Sequence, residues 1–216
     1  MGRAAEAVAF AGALIVSACA AAHAAVLPDG TYRYAVKSDG KQTATTTVSI
    51  SHDAASVTVK ETIGLDAQKL TTTRVLDPQT FSTRSWSADD PPTTIAVSAK
   101  SATYSDGKKT TTLDAPASAP AAVFDFFVAE FTTLPAMIHA TGADRYSEYC
   151  VCLTAFQAKA IEIVPPVAAR PAGALPGDVA MALRAEGKTV TLWYDPQTFI
   201  MRELDFPQEQ ISYIRL

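Results

Sequence analysis

The chain has 216 residues, of which 48% are apolar and 19% charged, with a formal net charge of −4. This is enough for one domain with a real core, and it excludes a chain disordered by composition. The acidic balance, with no long Lys/Arg cluster, argues against nucleic acid as a partner.

The chain opens "MGRAAEAVAFAGALIVSACAAAHA". Arg3 precedes an apolar run, over about 7–18, that is shorter than the ~20 residues a membrane span needs. Ala22 and Ala24 form a small-x-small cleavage site. Residues 1–24 are therefore expected to be a signal peptide, leaving residues 25–216 as a single extracytoplasmic domain, periplasmic or secreted. The same stretch carries a second reading. Val16–Cys19, "VSAC", resembles a bacterial lipobox, with Cys19 as the lipidated first residue. Membrane association is expected only through that anchor. A buried N-terminal helix is the plain alternative.

Thr is frequent, as in "TATTTVSI" and "KKTTTLD", and Asn is absent. Thr favours strands, so the body should be mainly β. Tyr32, Tyr34 and Val36 alternate with polar residues, Asp39-Gly40 supplies a turn, and Val48 and Ile50 mark the return strand. "SVTVKETI", "KLTTTRVL", "FSTRSW" and "TTIAVSAKSATY" follow, the last turned at Asp106-Gly107 into "KKTTTL". Strand signals every eight to twelve residues are those of an all-β, antiparallel domain. A proline-bearing linker, "LDAPASAPAA", then gives way to Val123, Phe124, Phe127, Val128, Phe131, Leu134, Met137 and Ile138 at helical spacing. One inserted helix is expected over about 121–139, capped by Ser118 and kinked or split at Pro135. Its apolar stripe is explained by packing on a sheet. The alternative is that Phe124, Phe127, Phe131 and Met137 line a site for a greasy ligand. "VPPVAARPAGALPG" reads as a loop, and "DVAMALRA", "KTVTLWY", "FIMRELDF" and "QISYIRL" as a closing meander.

The five residues DPQTF occur twice, beginning at Asp77 and at Asp195, each with an arginine seven residues on, Arg84 and Arg202. Asp accepts hydrogen bonds from the amides that follow it, and Pro sets φ near −65° for a type I turn. The repeat therefore reads as two strand-turn-strand units rather than a catalytic carboxylate pair.

Cys150 and Cys152 share a strand face. Either buried thiols or a local disulfide satisfies them, although the i, i+2 spacing sits near the limit of reach for a bridge. Beyond the leader, His52 and His139 stand in unrelated segments, so no metal site is expected. There is no G-x-S-x-G elbow, no Walker loop and no dinucleotide fingerprint. Neither a cofactor nor an enzymatic activity is expected.

The stretches "DGTYRYAVKSDGKQTATTTVSI", "AAVFDFFVAEFTTLPAMI", "TAFQAKAIEIVPP" and "KTVTLWYDPQTFIMRELDFPQEQISYIRL" together resemble an uncharacterised family of bacterial exported proteins. That family is similar in shape to the periplasmic lipoprotein-localisation carriers. The resemblance implies one long curved antiparallel sheet, half-barrel-like, with the helix lying across it. It carries no catalytic residues. By fold analogy it implies a lipid or other apolar ligand held between sheet and helix. The competing expectation is a non-catalytic structural or protein-interaction module of the bacterial envelope.

Overall fold

In a computed structural model, residues 27–65, 68–117, 120–125, 128–152, 155–166 and 169–216 are described. The leader, with Cys19 and the expected cleavage site, lies outside the described residues, as do Ser118, Phe126 and Phe127.

Fifteen strands and one helix make up the described chain. The first eight strands are β1 (Gly30–Ser38), β2 (Lys41–His52), β3 (Val57–Leu65), β4 (Gln68–Leu76), β5 (Thr83–Asp89), β6 (Pro92–Val97), β7 (Ser101–Ser105) and β8 (Thr110–Asp114). There follow β9 (Ala121–Phe124), the helix α1 (Ala129–Thr141), β10 (Arg145–Cys152) and β11 (Ala155–Val164). The closing meander is β12 (Val179–Ala185), β13 (Lys188–Tyr194), β14 (Met201–Phe206) and β15 (Ile211–Arg215).

All fifteen strands belong to one sheet, ordered β8-β7-β6-β5-β4-β3-β2-β1-β15-β14-β13-β12-β11-β10-β9. Every neighbouring pair is antiparallel except β9 and β10. The seam between the two halves is β1 with β15, where Tyr34 faces Arg215 and Val36 faces Tyr213. The Leu216 amide bonds the Arg33 carbonyl at 2.8 Å, and the Arg215 guanidinium lies 5.0 Å from the centre of the Tyr32 ring. The chain end is thereby fastened to the first strand.

The mainly β expectation holds, but the half-barrel does not. The strands form an open ladder, not a closed or curved lipoprotein-carrier shape, and its two ends, β8 and β9, are not paired to each other. The reason lies in the chain between them. A proline-bearing segment separates β8 from β9, and β9 pairs in parallel with β10 instead. Parallel neighbours need a crossover connection, usually a helix, and α1 is that crossover.

This also corrects the helix bounds. Residues 121–124 form a strand, and α1 begins only at Ala129. A short apolar run satisfies both helical and strand periodicity; pairing with β10 decided between them. The helix continues through Pro135 as a single element rather than splitting there. Proline removes one donor, and the helix is buried from Ala129 to Ile138, so its surroundings hold it in place. It ends at Gly142, whose left-handed φ of 62° lets its amide reach the Ile138 carbonyl at 2.8 Å.

Period-two burial builds the core. Val48 and Ile50 on β2, Val57 and Val59 on β3, and Leu192 and Leu204 on β13 and β14 join Phe131, Leu134 and Met137 of α1 in the main cluster. A second cluster brings Trp86, Ile95 and Ala102 of β5–β7 against Ala121, Val123 and Tyr149 of β9 and β10.

The repeated DPQTF segments adopt the same turn. The Asp77 carboxylate accepts from the Gln79 and Thr80 amides at 2.9 and 2.8 Å, and Phe81 closes the loop onto the Asp77 carbonyl with φ of 55°. Asp195 repeats this with Gln197, Thr198 and Phe199, whose φ is 57°. Arg84 and Arg202 each return to the carboxylate that opens their turn. The amide of Thr80 is the foremost cause that pulls the Asp77 carboxyl down to about 2. Its contribution to stability is therefore present above the ordinary carboxylate range and is lost as pH falls through the folded value. Asp77→Ala should cost about 1 kcal/mol, as caps of this kind do, read as a lower urea midpoint at pH 7. An unchanged midpoint would refute the structural role given to this carboxylate.

Candidate ligand-binding site

Two polar clusters lie on the helix side of the sheet, and they arise from charged residues placed in apolar phase. On β3 the inward residues are Val57, Val59, Glu61 and Ile63. On β4, Thr72, Arg74 and Leu76 point the same way. Arg74 lies opposite Trp86 of β5 in the ladder. The first cluster follows directly. Arg74 is ion-paired with Asp125, approaches Glu61 at 3.8 Å, and is fully buried. The Trp86 indole donates to the other Asp125 oxygen at 2.7 Å.

Glu61 also caps α1 from a distance. The residue before the helix, Val128, offers no side-chain cap. Its amide and that of Ala129 instead donate to the two Glu61 oxygens at 3.0 and 2.8 Å. Free amides at a helix start carry partial positive charge, which a carboxylate complements. Thr46 donates to the same carboxylate at 2.8 Å. Burial and the neighbouring Asp125 push the Glu61 carboxyl up to about 7, against the opposing pull of Arg74.

The second cluster borders a cavity of about 350 Å³. The walls are mostly apolar. Phe124, Phe131, Phe206 and Tyr213 form an edge-to-face series with successive ring centres 5.7, 5.8 and 6.2 Å apart. Ile161, Leu183 and Val190 complete the strand side. The rim comprises the turn at Glu186 and the turn 207–210, bridged by Lys188 to Glu209 at 3.1 Å.

Its polar wall comprises the buried Tyr146 and Glu148 of β10 and the partly exposed Lys159 of β11. Glu148 and Lys159 are direct cross-strand partners, 3.0 Å apart at Oε1 and Nζ. The Tyr146 hydroxyl lies 3.2 Å from Glu130 Oε1 and 3.5 Å from Glu148 Oε2. The one hydroxyl thus links the two carboxyls. Burial, then the Glu148 charge, holds the Glu130 carboxyl well above its ordinary value. Two buried carboxyls bridged by one hydroxyl disfavour double ionisation. Burial works to lower Lys159, but Glu148 outweighs it and the ammonium is held above its ordinary range.

Of the residues singled out in the sequence, Phe124 and Phe131 meet at this cavity. Met137 is buried in the core and does not line it. Phe127 lies outside the described residues. Cys150 is buried and disulfide-bonded, while the Cys152 side chain is not among those described. His52 pairs with Asp29 at 2.6 Å near the surface, and His139 stacks on Phe199 with ring centres 4.5 Å apart. Among the described residues, no group of three or more His, Cys, Asp or Glu has the arrangement to hold a metal, and no helix is long and apolar enough to cross a membrane.

Sequence reasoning missed Glu61, Arg74, Glu130, Tyr146, Glu148 and Lys159. A signal was there: Glu61 and Arg74 fall on the apolar phase of their strands, where a charge demands a buried partner.

No family model, curated protein or solved structure matches this chain. The resemblance to an exported-protein family shaped like the lipoprotein carriers is overturned, because the open ladder described above lacks the curved form on which that likeness rested.

Replacing Arg74 by Met would strand Asp125 and Glu61 without their cation. The expected loss is about 3–5 kcal/mol, measured by chemical denaturation, with Arg74→Lys losing less because it keeps the charge. Equal stability of Arg74→Met and the parent would contradict the role assigned to the cluster. The raised Glu130 carboxyl has a separate signature. A carboxyl raised in the folded state stabilises fully below its unfolded value, and that share is lost as pH rises through the folded value. Unfolding free energy should therefore fall as pH climbs above the ordinary value of 4.5 for Glu130. Glu130→Gln, which copies the protonated form, should flatten that decline; identical slopes would contradict a raised Glu130 carboxyl.

Proposed function

We propose that this is an exported protein that binds a small apolar or amphipathic molecule between α1 and the strands β10–β15. The export part rests on the pattern of residues 1–24. The observation that carries the binding part is the cavity beside Phe131. At about 350 Å³ it falls within the range of roughly 300–1,000 Å³ usual for small-molecule sites. It is walled by aromatic and aliphatic side chains with a few convergent polar groups at one end, the usual make-up of such a site.

Binding is driven by removing apolar surface from water, at roughly 25 cal/mol per Å² before the costs of ordering the ligand. The pocket is walled by α1 and by strands paired on both sides rather than by a free strand edge, which favours a small molecule over a protein partner as its occupant.

An uncharged naphthylamine dye that brightens in apolar surroundings should bind the purified protein and fluoresce. Val190→Trp, which places bulk in the cavity from β13, should weaken dye binding about tenfold or more, equivalent to 1.4 kcal/mol. Near-parental circular dichroism would show that the fold is kept. Undiminished dye binding in that variant would place the dye elsewhere and refute the site.

A further inference from the structure

The connection between β11 and β12 is longer than its topology requires. Antiparallel neighbours can be joined by a two-residue hairpin, yet the chain leaves β11 at Val164 and enters β12 only at Val179. Residues 169–178 of that excursion lie on the sheet face turned away from α1. There Trp193, Glu203 and Ile214 are cross-strand neighbours, alternating with Leu192, Leu204 and Tyr213 on the helix side. Three contacts pin the segment. The Arg170 guanidinium sits 5.8 Å from the centre of the Trp193 ring. Gly173 lies so close to Glu203 and Ile214 that a Cβ there would come within 2.2 Å of Glu203 Oε2. Asp178 accepts from the Leu175 amide at 2.7 Å and faces Arg202 at 3.6 Å, and Arg202 in turn holds Asp195.

The middle contact is the anomalous one. Glu203 is 4% exposed, and its Oε2 has no hydrogen-bond partner. A buried carboxyl oxygen without a partner is costly, and far more so charged than neutral. Lifting the segment returns that carboxyl to water and removes the cost. We infer that residues 169–178 form a pH-responsive strap, closed over Glu203 while that side chain is neutral and loosened when it ionises. The charged and polar groups around Glu203 agree with this. Burial, then the Asp205 charge on the same strand, holds the carboxyl above its ordinary value, against the Gly173 amide, Lys37 of β1 and the Ala174 amide. The value is raised only while the strap is shut, so closure takes up a proton. The closed form therefore gains ground as pH falls and loses it as pH rises through that value. The strands beneath carry Val190, Phe206 and Tyr213 of the cavity on their other face, but the strap does not depend on what the cavity holds.

The test is hydrogen exchange of the full chain, followed by mass spectrometry in the peptide spanning residues 169–178 and expressed relative to the intrinsic rate at each pH. Protection should fall about threefold or more between pH 4.5 and pH 8. Glu203→Gln, which copies the neutral form, should keep the acid-level protection throughout, whereas a loss that came from global unfolding would persist in it. Asp205→Asn removes the like charge beside Glu203 and should move the midpoint of the loss to lower pH; it serves if Glu203→Gln does not fold. Equal protection at the two pH values in the parent overturns the strap. So does an undiminished loss in Glu203→Gln, or an unmoved midpoint in Asp205→Asn.

Discussion

The ion pair between Arg74 and Asp125 is the constraint on which the arrangement depends. Arg74 comes from the middle of β4, Asp125 from the residue that follows β9, and both are buried. Removing two such charges from water is costly, and their attraction offsets the cost only when geometry and further hydrogen bonds are good. The further bonds are present. Trp86 donates to Asp125, and Glu61 adds a second carboxylate to the arginine while holding the first amides of α1. A helix that could slide on a greasy sheet is thereby given one position, because any slip would leave a charge or a helix amide without its partner. The cluster acts as a register device more than as a source of net stability.

The cavity follows from that position. With the start of α1 held by β3 and β4, Phe131 projects towards β14, where it meets Phe206 edge-on. Glu130, the next residue of the first turn after Ala129, is carried to Tyr146 and Glu148 on β10. One end of the helix therefore rests on two polar clusters. The first joins Arg74, Asp125, Glu61 and Trp86 to the start of the helix and is structural in character. The second, in which Glu148 meets Lys159 at 3.0 Å, borders the apolar cavity.

The strands and turns were largely legible in the sequence. Alternation at Val57, Val59 and Ile63, or at Tyr32 and Tyr34, reports a local property of pleated chain, and so does the Asp-Pro turn at Asp77 and Asp195. Phe124 and Phe131 were legible as apolar surface facing a sheet. The helix bounds were not, because Ala121–Phe124 satisfies two periodicities and only its neighbour β10 chose between them. The curved half-barrel was inferred from likeness rather than from residues, and it failed where the sheet's connectivity left both ends open.

By itself the sequence determined a β-rich chain, its turns, one greasy helix and the charges that fall in apolar phase, because these depend on residues a few positions apart. Tertiary structure alone decided which charges met. Arg74 and Asp125 are 51 positions apart, and Glu61 and the Ala129 amide 68. Whether Glu148 faces Lys159 or Phe131 faces Phe206 depends on strand order and helix placement. Local propensity carries no record of either.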